Sequence, residues 1–112
     1  MNIIRVDNDI ISSNIDNNIK IKDGTCIDVL DNTNLYLEIN NSNNINISIN
    51  VKKNVNFKLF NFCETYNRDI RIYINQYENS KVIFNSFYKN NNVDENIIIN
   101  LNGISIDIEY NY

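Results

Sequence analysis

A chain of 112 residues with 43% hydrophobic content has the length of one domain and can bury a single modest core without disulfides or metals. Its net charge is −4, and its basic residues are scattered singly apart from Lys52-Lys53. No electropositive stripe exists to displace phosphate counterions, which argues against nucleic acid as a partner. With no histidine, Ser-His and Cys-His catalytic pairs are excluded and the commonest catalytic-metal ligand is missing.

In chain order, the first 34 residues carry short apolar pieces at Ile3-Ile4, Ile10-Ile11, Ile19 to Ile21 and Ile27 to Leu30, separated by Asp and Asn. They are expected to form irregular short strands and loops packed on a main β unit spanning residues 35–112, the whole being a single β domain. From Leu35 onward the pattern becomes strict: Leu35-Leu37-Ile39, then Ile45, Ile47, Ile49 and Val51 alternating with Asn46, Ser48 and Asn50, then Val55-Phe57-Leu59. Ile70-Ile72-Ile74, a less regular stretch from Val82 to Phe87, Ile97-Ile99-Leu101 and Ile104-Ile106-Ile108 follow. Period two is the signature of half-buried strands, and no helical stripe competes with it. β-branched Ile suits a pleated surface whereas Asn is a poor strand former, so the apolar face must supply the stability.

Turn residues cluster between these runs at Asn40 to Asn44, Lys52 to Asn54, Glu64 to Asp69, Glu78 to Ser80 and Lys89 to Asn96. Asn102-Gly103 suits either a tight type I′ hairpin joining Asn96–Leu101 to Ile104–Tyr110 or a corner between two sheets. Strand centres recur roughly every ten to thirteen residues, a spacing shared by sandwiches, barrels and coiled solenoids. In a solenoid, stacked turns bury a continuous apolar interior, and outward amides bond to one another in ladders. Asn46, Asn56, Asn75 and Asn100 are the candidate rungs. The fold class is therefore all-β, either a right-handed β-helix or solenoid-like stack of short strands or an antiparallel β-sandwich.

Few residues point to chemistry. Glu38, Asp107 and Glu109 lie on polar strand faces, where a carboxylate pair could face a sugar, but alternation with inward Ile106 and Ile108 favours a solvated face. Asp7-Asn8-Asp9 starts like a calcium loop without the Gly and Glu such a loop requires, so a polar turn is expected. Gly24 and Gly103 belong to no phosphate-binding motif. Cys26 and Cys63 form no CxxC and read as buried free thiols, ahead of a redox or metal role. Among the seven tyrosines, Tyr36 and Tyr73 are out of phase with their apolar neighbours, which places them singly on the outer face as rim or interface residues. No catalytic, cofactor-binding or metal-binding residue is assigned, and no cofactor and no enzymatic activity are expected. The opening residues lack a basic segment followed by an apolar run, and no window approaches the roughly 18 apolar residues of a membrane span. A cytoplasmic protein without a membrane partner is expected.

Three segments carry a family resemblance: LYLEINNSNNINISINVKKNVNFKLFNF, RIYINQYENSKVIFNSFY and INLNGISIDIEYNY. Their order of paired strands, the polar Glu78-Asn79-Ser80-Lys81 break and the strand ending at Gly103 resemble the core domain of the SufB/SufD family, the scaffold subunits of the SUF iron–sulfur cluster assembly system. The resemblance spans about two thirds of the chain and rests on pattern and one Gly. It implies a right-handed β-helix core and a non-catalytic scaffold acting through protein–protein contacts in iron–sulfur cluster assembly. The implied partners are a SufC-like ATPase and a SufB/SufD-like companion subunit, or a second copy joined in a homodimer through an exposed β edge. The family's helical ATPase-docking segment and its cluster-building Cys and His positions have no match here, and Cys63 is not at a matching position. No ligand residue is carried over, and the expectation is a reduced or split scaffold piece. The competing expectation is a β-sandwich binding or structural module, serving carbohydrate binding or capsid or surface assembly.

Overall fold

The computed structural model describes the backbone of residues 2–7, 9–23, 25–39, 45–63, 68–88, 93–101 and 107–111, and the side chains of residues 2–6, 13–23, 25–39, 46–62 and 71–85. The alternation of Ile and Asn is realised as strands throughout these residues, with no helix among them. They are β1 (Asn2–Asp7), β2 (Asp9–Asn14), β3 (Ile19–Lys22), β4 (Cys26–Val29), β5 (Thr33–Ile39) and β6 (Ile45–Val51), then β7 (Asn56–Cys63), β8 (Arg68–Gln76), β9 (Lys81–Tyr88), β10 (Val93–Leu101) and β11 (Asp107–Asn111). Arg68-Asp69 and Val93 to Asn96, expected in turns, extend strands instead. The backbone ladder pairing Arg68 with Val93 and Ile70 with Glu95 overrides their weak strand propensity.

Successive strands from β4 onward alternate between two sheets. One has six strands in the order β11-β9-β7-β5-β1-β2, the other five in the order β10-β8-β6-β4-β3. Each strand from β4 to β9 pairs in parallel with the strand two places later in the chain. Among the described residues, antiparallel pairing occurs only at β1–β2 and β3–β4, at one end of each sheet. The first 34 residues are thus not merely packed on the main unit. β1 joins the six-stranded sheet beside β5, with Ile4 opposite Leu37, and β4 joins the other beside β6, with Ile27 opposite Ile49.

Register is tied to the inner face. Ile47 lies opposite Ile72 and Ile72 opposite Ile97, an offset of 25 residues that aligns like with like. A slip of one residue would turn every apolar side chain outward. Ile4, Leu35, Leu37, Leu59 and Phe84 of one sheet and Ile27, Ile47, Ile49, Ile72 and Ile74 of the other are fully buried in one continuous core.

The corners repeat as well. Lys52–Val55 and Tyr77–Ser80 each form a turn closed by a backbone bond, Val55 N–H to the Lys52 carbonyl (3.3 Å) and Ser80 N–H to the Tyr77 carbonyl (3.2 Å). Asn54 (φ 63°) and Asn79 (φ 57°) hold the third position, where a positive φ is needed and Asn tolerates it better than most residues. The two turns stack: the Asn79 amide donates to Asn54 Oδ1 (2.8 Å), and the Asn54 N–H donates to the Glu78 carbonyl (2.9 Å).

Asn102-Gly103 lies outside the described residues, but the strands flanking it do not form a hairpin. β10 belongs to the five-stranded sheet and β11 to the six-stranded one. Parallel partners already occupy the inner edges of both strands. Among the described residues, no helix is long and apolar enough to cross a membrane.

Candidate functional site

On the outer face of the five-stranded sheet, the side chains between the inward isoleucines form a ladder. Asn75 Nδ2 donates to Asn50 Oδ1 (2.8 Å), and Asn50 Nδ2 donates to Asp28 Oδ1 (2.9 Å). The remaining Asp28 oxygen, Oδ2, pairs with Lys22 Nζ at 2.7 Å. An amide has a donor and an acceptor end, so each rung can serve the strands on both sides of it. The ladder ends where a carboxylate accepts only and an ammonium donates only. Asp28 points away from the core that Ile27 and Val29 enter, yet it is covered, with its side chain 3% exposed. Burial alone would push its carboxyl up. The hydrogen bonds from Lys22 and Asn50, with the charges of Lys22 and Lys52, outweigh burial and hold it below the usual carboxylate range. The same hydrogen bond and charge raise Lys22 above the ordinary lysine value.

Two of the expected rungs fall elsewhere. Asn46 is exposed with Arg71 as its register partner, and Asn56 opens β7 in the other sheet beside Lys81. Asn75 is a rung, and Asn100 occupies the next register position beside it on β10. Asn50, the central rung, escaped the sequence reading although it stands 25 residues before Asn75. That offset was the signal that would have found it.

The outer face of the six-stranded sheet is built differently. Tyr36 stacks on Phe60 with ring centroids 4.8 Å apart and planes 10° from parallel, and lies 6.1 Å from Phe62 in a similar plane. Tyr36 is therefore on the outer face as expected, but not singly. In the sequence FKLFNFC from Phe57 to Cys63 the phase inverts: Asn61 turns inward and is fully buried while Phe60 and Phe62 face out. Beside the rings, Arg5 Nε donates to Glu38 Oε2 at 2.8 Å across paired strands. Glu38 is thus an ion-pair partner. Two strands separate it from β11, which carries Asp107 and Glu109, about 14 Å away at the ordinary strand spacing and beyond the reach of a glycosidase pair. The side chains of Asp107 and Glu109 lie outside the described residues.

A groove of about 510 Å³ opens where β5, β7 and β9 begin. Half-buried Ile83 gives it apolar surface above the core residue Phe57, and Asn34, Asn56, Lys58 and Lys81 line it with amides and ammonium groups. A corner network shapes its rim. Asn2 Nδ2 donates to Thr33 Oγ1 (2.8 Å), the Asp16 N–H donates to Asn2 Oδ1 (2.8 Å), and the Asn56 N–H donates to Asn32 Oδ1 (2.7 Å). This groove was not legible from the sequence, because its residues come from five separate stretches brought together by strand register and by the bond of the Asp16 N–H to Asn2.

Cys26 is a free thiol as expected but only half-buried, on the outer side of β4 with Asn50 Nδ2 3.7 Å from its sulfur. Alternation places it opposite in phase to Ile27 and Val29, which take the core positions. Cys63 lies on β7 in the other sheet, and its side chain is outside the described residues. Asp7 and Asp9 are paired in the antiparallel β1–β2 hairpin, in keeping with a polar turn; Asn8, like Gly24, is outside the described residues. Tyr73 is half-buried on the outer side of β8, and Tyr77 is exposed with Lys52 Nζ 5.5 Å from its ring centroid. Tyr66, Tyr88, Tyr110 and Tyr112 have side chains outside the described residues. No group of three or more metal-ligating side chains occurs among those described.

Compared with protein-family models, curated proteins and solved structures, the chain gives no match in any of the three.

Proposed function

We propose that this chain is a non-catalytic scaffold, a solenoid of stacked coils that works through protein–protein contacts. The observation that carries this reading is the parallel pairing of each strand from β4 to β9 with the strand two places later, one strand per coil entering each sheet. Such a stack is quasi-one-dimensional: each coil touches only its neighbours, and a coil at the end offers backbone donors and acceptors to whatever comes next. The alternative of an antiparallel sandwich, serving as a carbohydrate or capsid module, calls for antiparallel neighbours. Among the described residues these are confined to β1–β2 and β3–β4.

The specific form of the proposal follows the resemblance to SufB/SufD: a cytoplasmic scaffold piece in iron–sulfur cluster assembly that joins a SufC-like ATPase and a companion scaffold subunit, or a second copy of itself. The edges beyond β10 and β11 are where a companion strand would extend the two sheets. Co-purification of the tagged chain with the cognate SufC-like ATPase, with and without a companion scaffold chain, tests it. Association that withstands washing supports the assignment. Its absence in both settings removes the SUF assignment and leaves the solenoid reading to be judged by backbone topology alone.

A further inference from the structure

We propose that the groove at the start of β5, β7 and β9 is a binding site for an oxyanion carried on a polyhydroxylated ring, that is, an acidic or phosphorylated saccharide. Lys81 is the register partner of Asn56, and Lys58 stands two residues further along β7 on the same outer face. The two lysines are thus diagonal neighbours on adjacent parallel strands, where side chains lie roughly 7–8 Å apart and like charges disfavour one another. Both line the groove, and neither has an ion-pair partner among the described residues, where the lysine and arginine pairs are Lys22–Asp28 and Arg5–Glu38. In a chain with 14 acidic and 10 basic residues, two adjacent ammonium groups with no ion pair among the described residues are an arrangement that an incoming anion would relieve.

The rest of the groove suits a polyol. Among the described residues, the side-chain amides of Asn34 and Asn56 make no hydrogen bond within the protein, while those of Asn2 and Asn32 are engaged in holding the rim. Amides supply a donor and an acceptor each, matching the mixed character of ring hydroxyls. Asp16, whose Oδ1 already accepts the Asn18 N–H, adds an acceptor. Ile83, half-buried beside them, gives apolar surface against which a sugar's C–H face can lie. The volume falls within the range of ordinary ligand pockets. β11 brings Asp107 and Glu109 to the register positions beside Lys81 and Ile83, whereas toward β5 the register partner of Lys58 is the amide Asn34. This inference is independent of the scaffold reading.

Isothermal titration of the full chain with three probes tests it: a glucuronic acid oligosaccharide, glucose 6-phosphate, and a neutral glucose oligosaccharide. At least one anionic probe is expected to bind about tenfold more tightly than the neutral one, with affinity falling as salt is added. Lys58→Gln and Lys81→Gln should each lower that affinity about tenfold without lowering the thermal midpoint, because both side chains lie outside the core. Preference for the carboxylate or for the phosphate probe identifies the source of the anion, and either result supports the site. Equal binding of the neutral oligosaccharide, no binding of any probe, or undiminished binding by the folded double variant would overturn it.

Discussion

The two outer faces of this protein solve one problem with different chemistry. Both sheets share an interior of aliphatic side chains, and in both the strands stack in parallel at nearly the same offset, so the backbone ladders are alike. Outside, the five-stranded sheet ties neighbouring strands through amides, Asn75 to Asn50 to Asp28, while the six-stranded sheet does so through rings, Tyr36 on Phe60. Amide rungs are directional and leave an unsatisfied end, which is why Asp28 and Lys22 sit at the last rung. Ring stacking is not directional and needs no terminus. That face can accordingly give way to a polar groove two residues earlier along the strands, where Asn34, Lys58 and Ile83 share a register row.

If one core governs both faces, the largest loss should come from inside. Ile72 is fully buried between its register partners Ile47 and Ile97. Ile72→Ala should cost about 3 kcal/mol from lost transfer energy and the cavity left behind. In guanidinium titration, tyrosine fluorescence and far-ultraviolet circular dichroism should shift together; separate transitions would show that the sheets unfold independently. Next in size is Asn50→Leu, which removes two rungs at once and leaves the covered Asp28 with Lys22 alone. A loss of about 2 kcal/mol is expected, because a covered carboxylate is deprived of a donor.

Asp28 also gives the comparison a pH axis. Its folded-state pKa is lowered relative to the unfolded chain, so its contribution is fully present above about pH 4, the unfolded value. The contribution is lost as pH falls through the lower folded value. Asp28→Asn should cost about 1 kcal/mol at neutral pH, a modest figure since Lys22 is half exposed and screened. The gap between variant and parent should close in strong acid. Denaturant midpoints at pH 7 and pH 2–3 measure it, and a constant gap across that range would mean that the ion pair contributes nothing to stability.

The inner face was legible in the sequence because period two is a local property. Ile45 to Val51 and Ile70 to Ile74 could be assigned to strands without knowing their partners. The outer faces were not, because they depend on register between strands about 25 residues apart. Asn75 was named as a rung for its composition, while its partner Asn50 was overlooked. Phe60 and Phe62 were hidden by the inversion at Asn61, where the apolar residues leave the phase set by Phe57 and Leu59. Asn102-Gly103 shows the same limit: a two-residue turn signal suits a hairpin and a corner between sheets alike and does not say which sheet the next strand joins.

The smallest expected effect separates the faces most directly. Phe60→Leu keeps an apolar side chain at a half-buried position and removes only the ring-on-ring contact with Tyr36. The cost should be about 0.5 kcal/mol, the low end for an aromatic pair beyond its buried area, since both rings are only half-buried. Since the rings and the amide ladder lie on opposite sides of the core, Phe60→Leu combined with Asn50→Leu should be additive within about 0.5 kcal/mol. A double-mutant cycle read from denaturant midpoints measures that sum. A coupling well above this would mean that the two outer faces communicate through the isoleucine interior, and that the ladder and the stack are one cooperative feature.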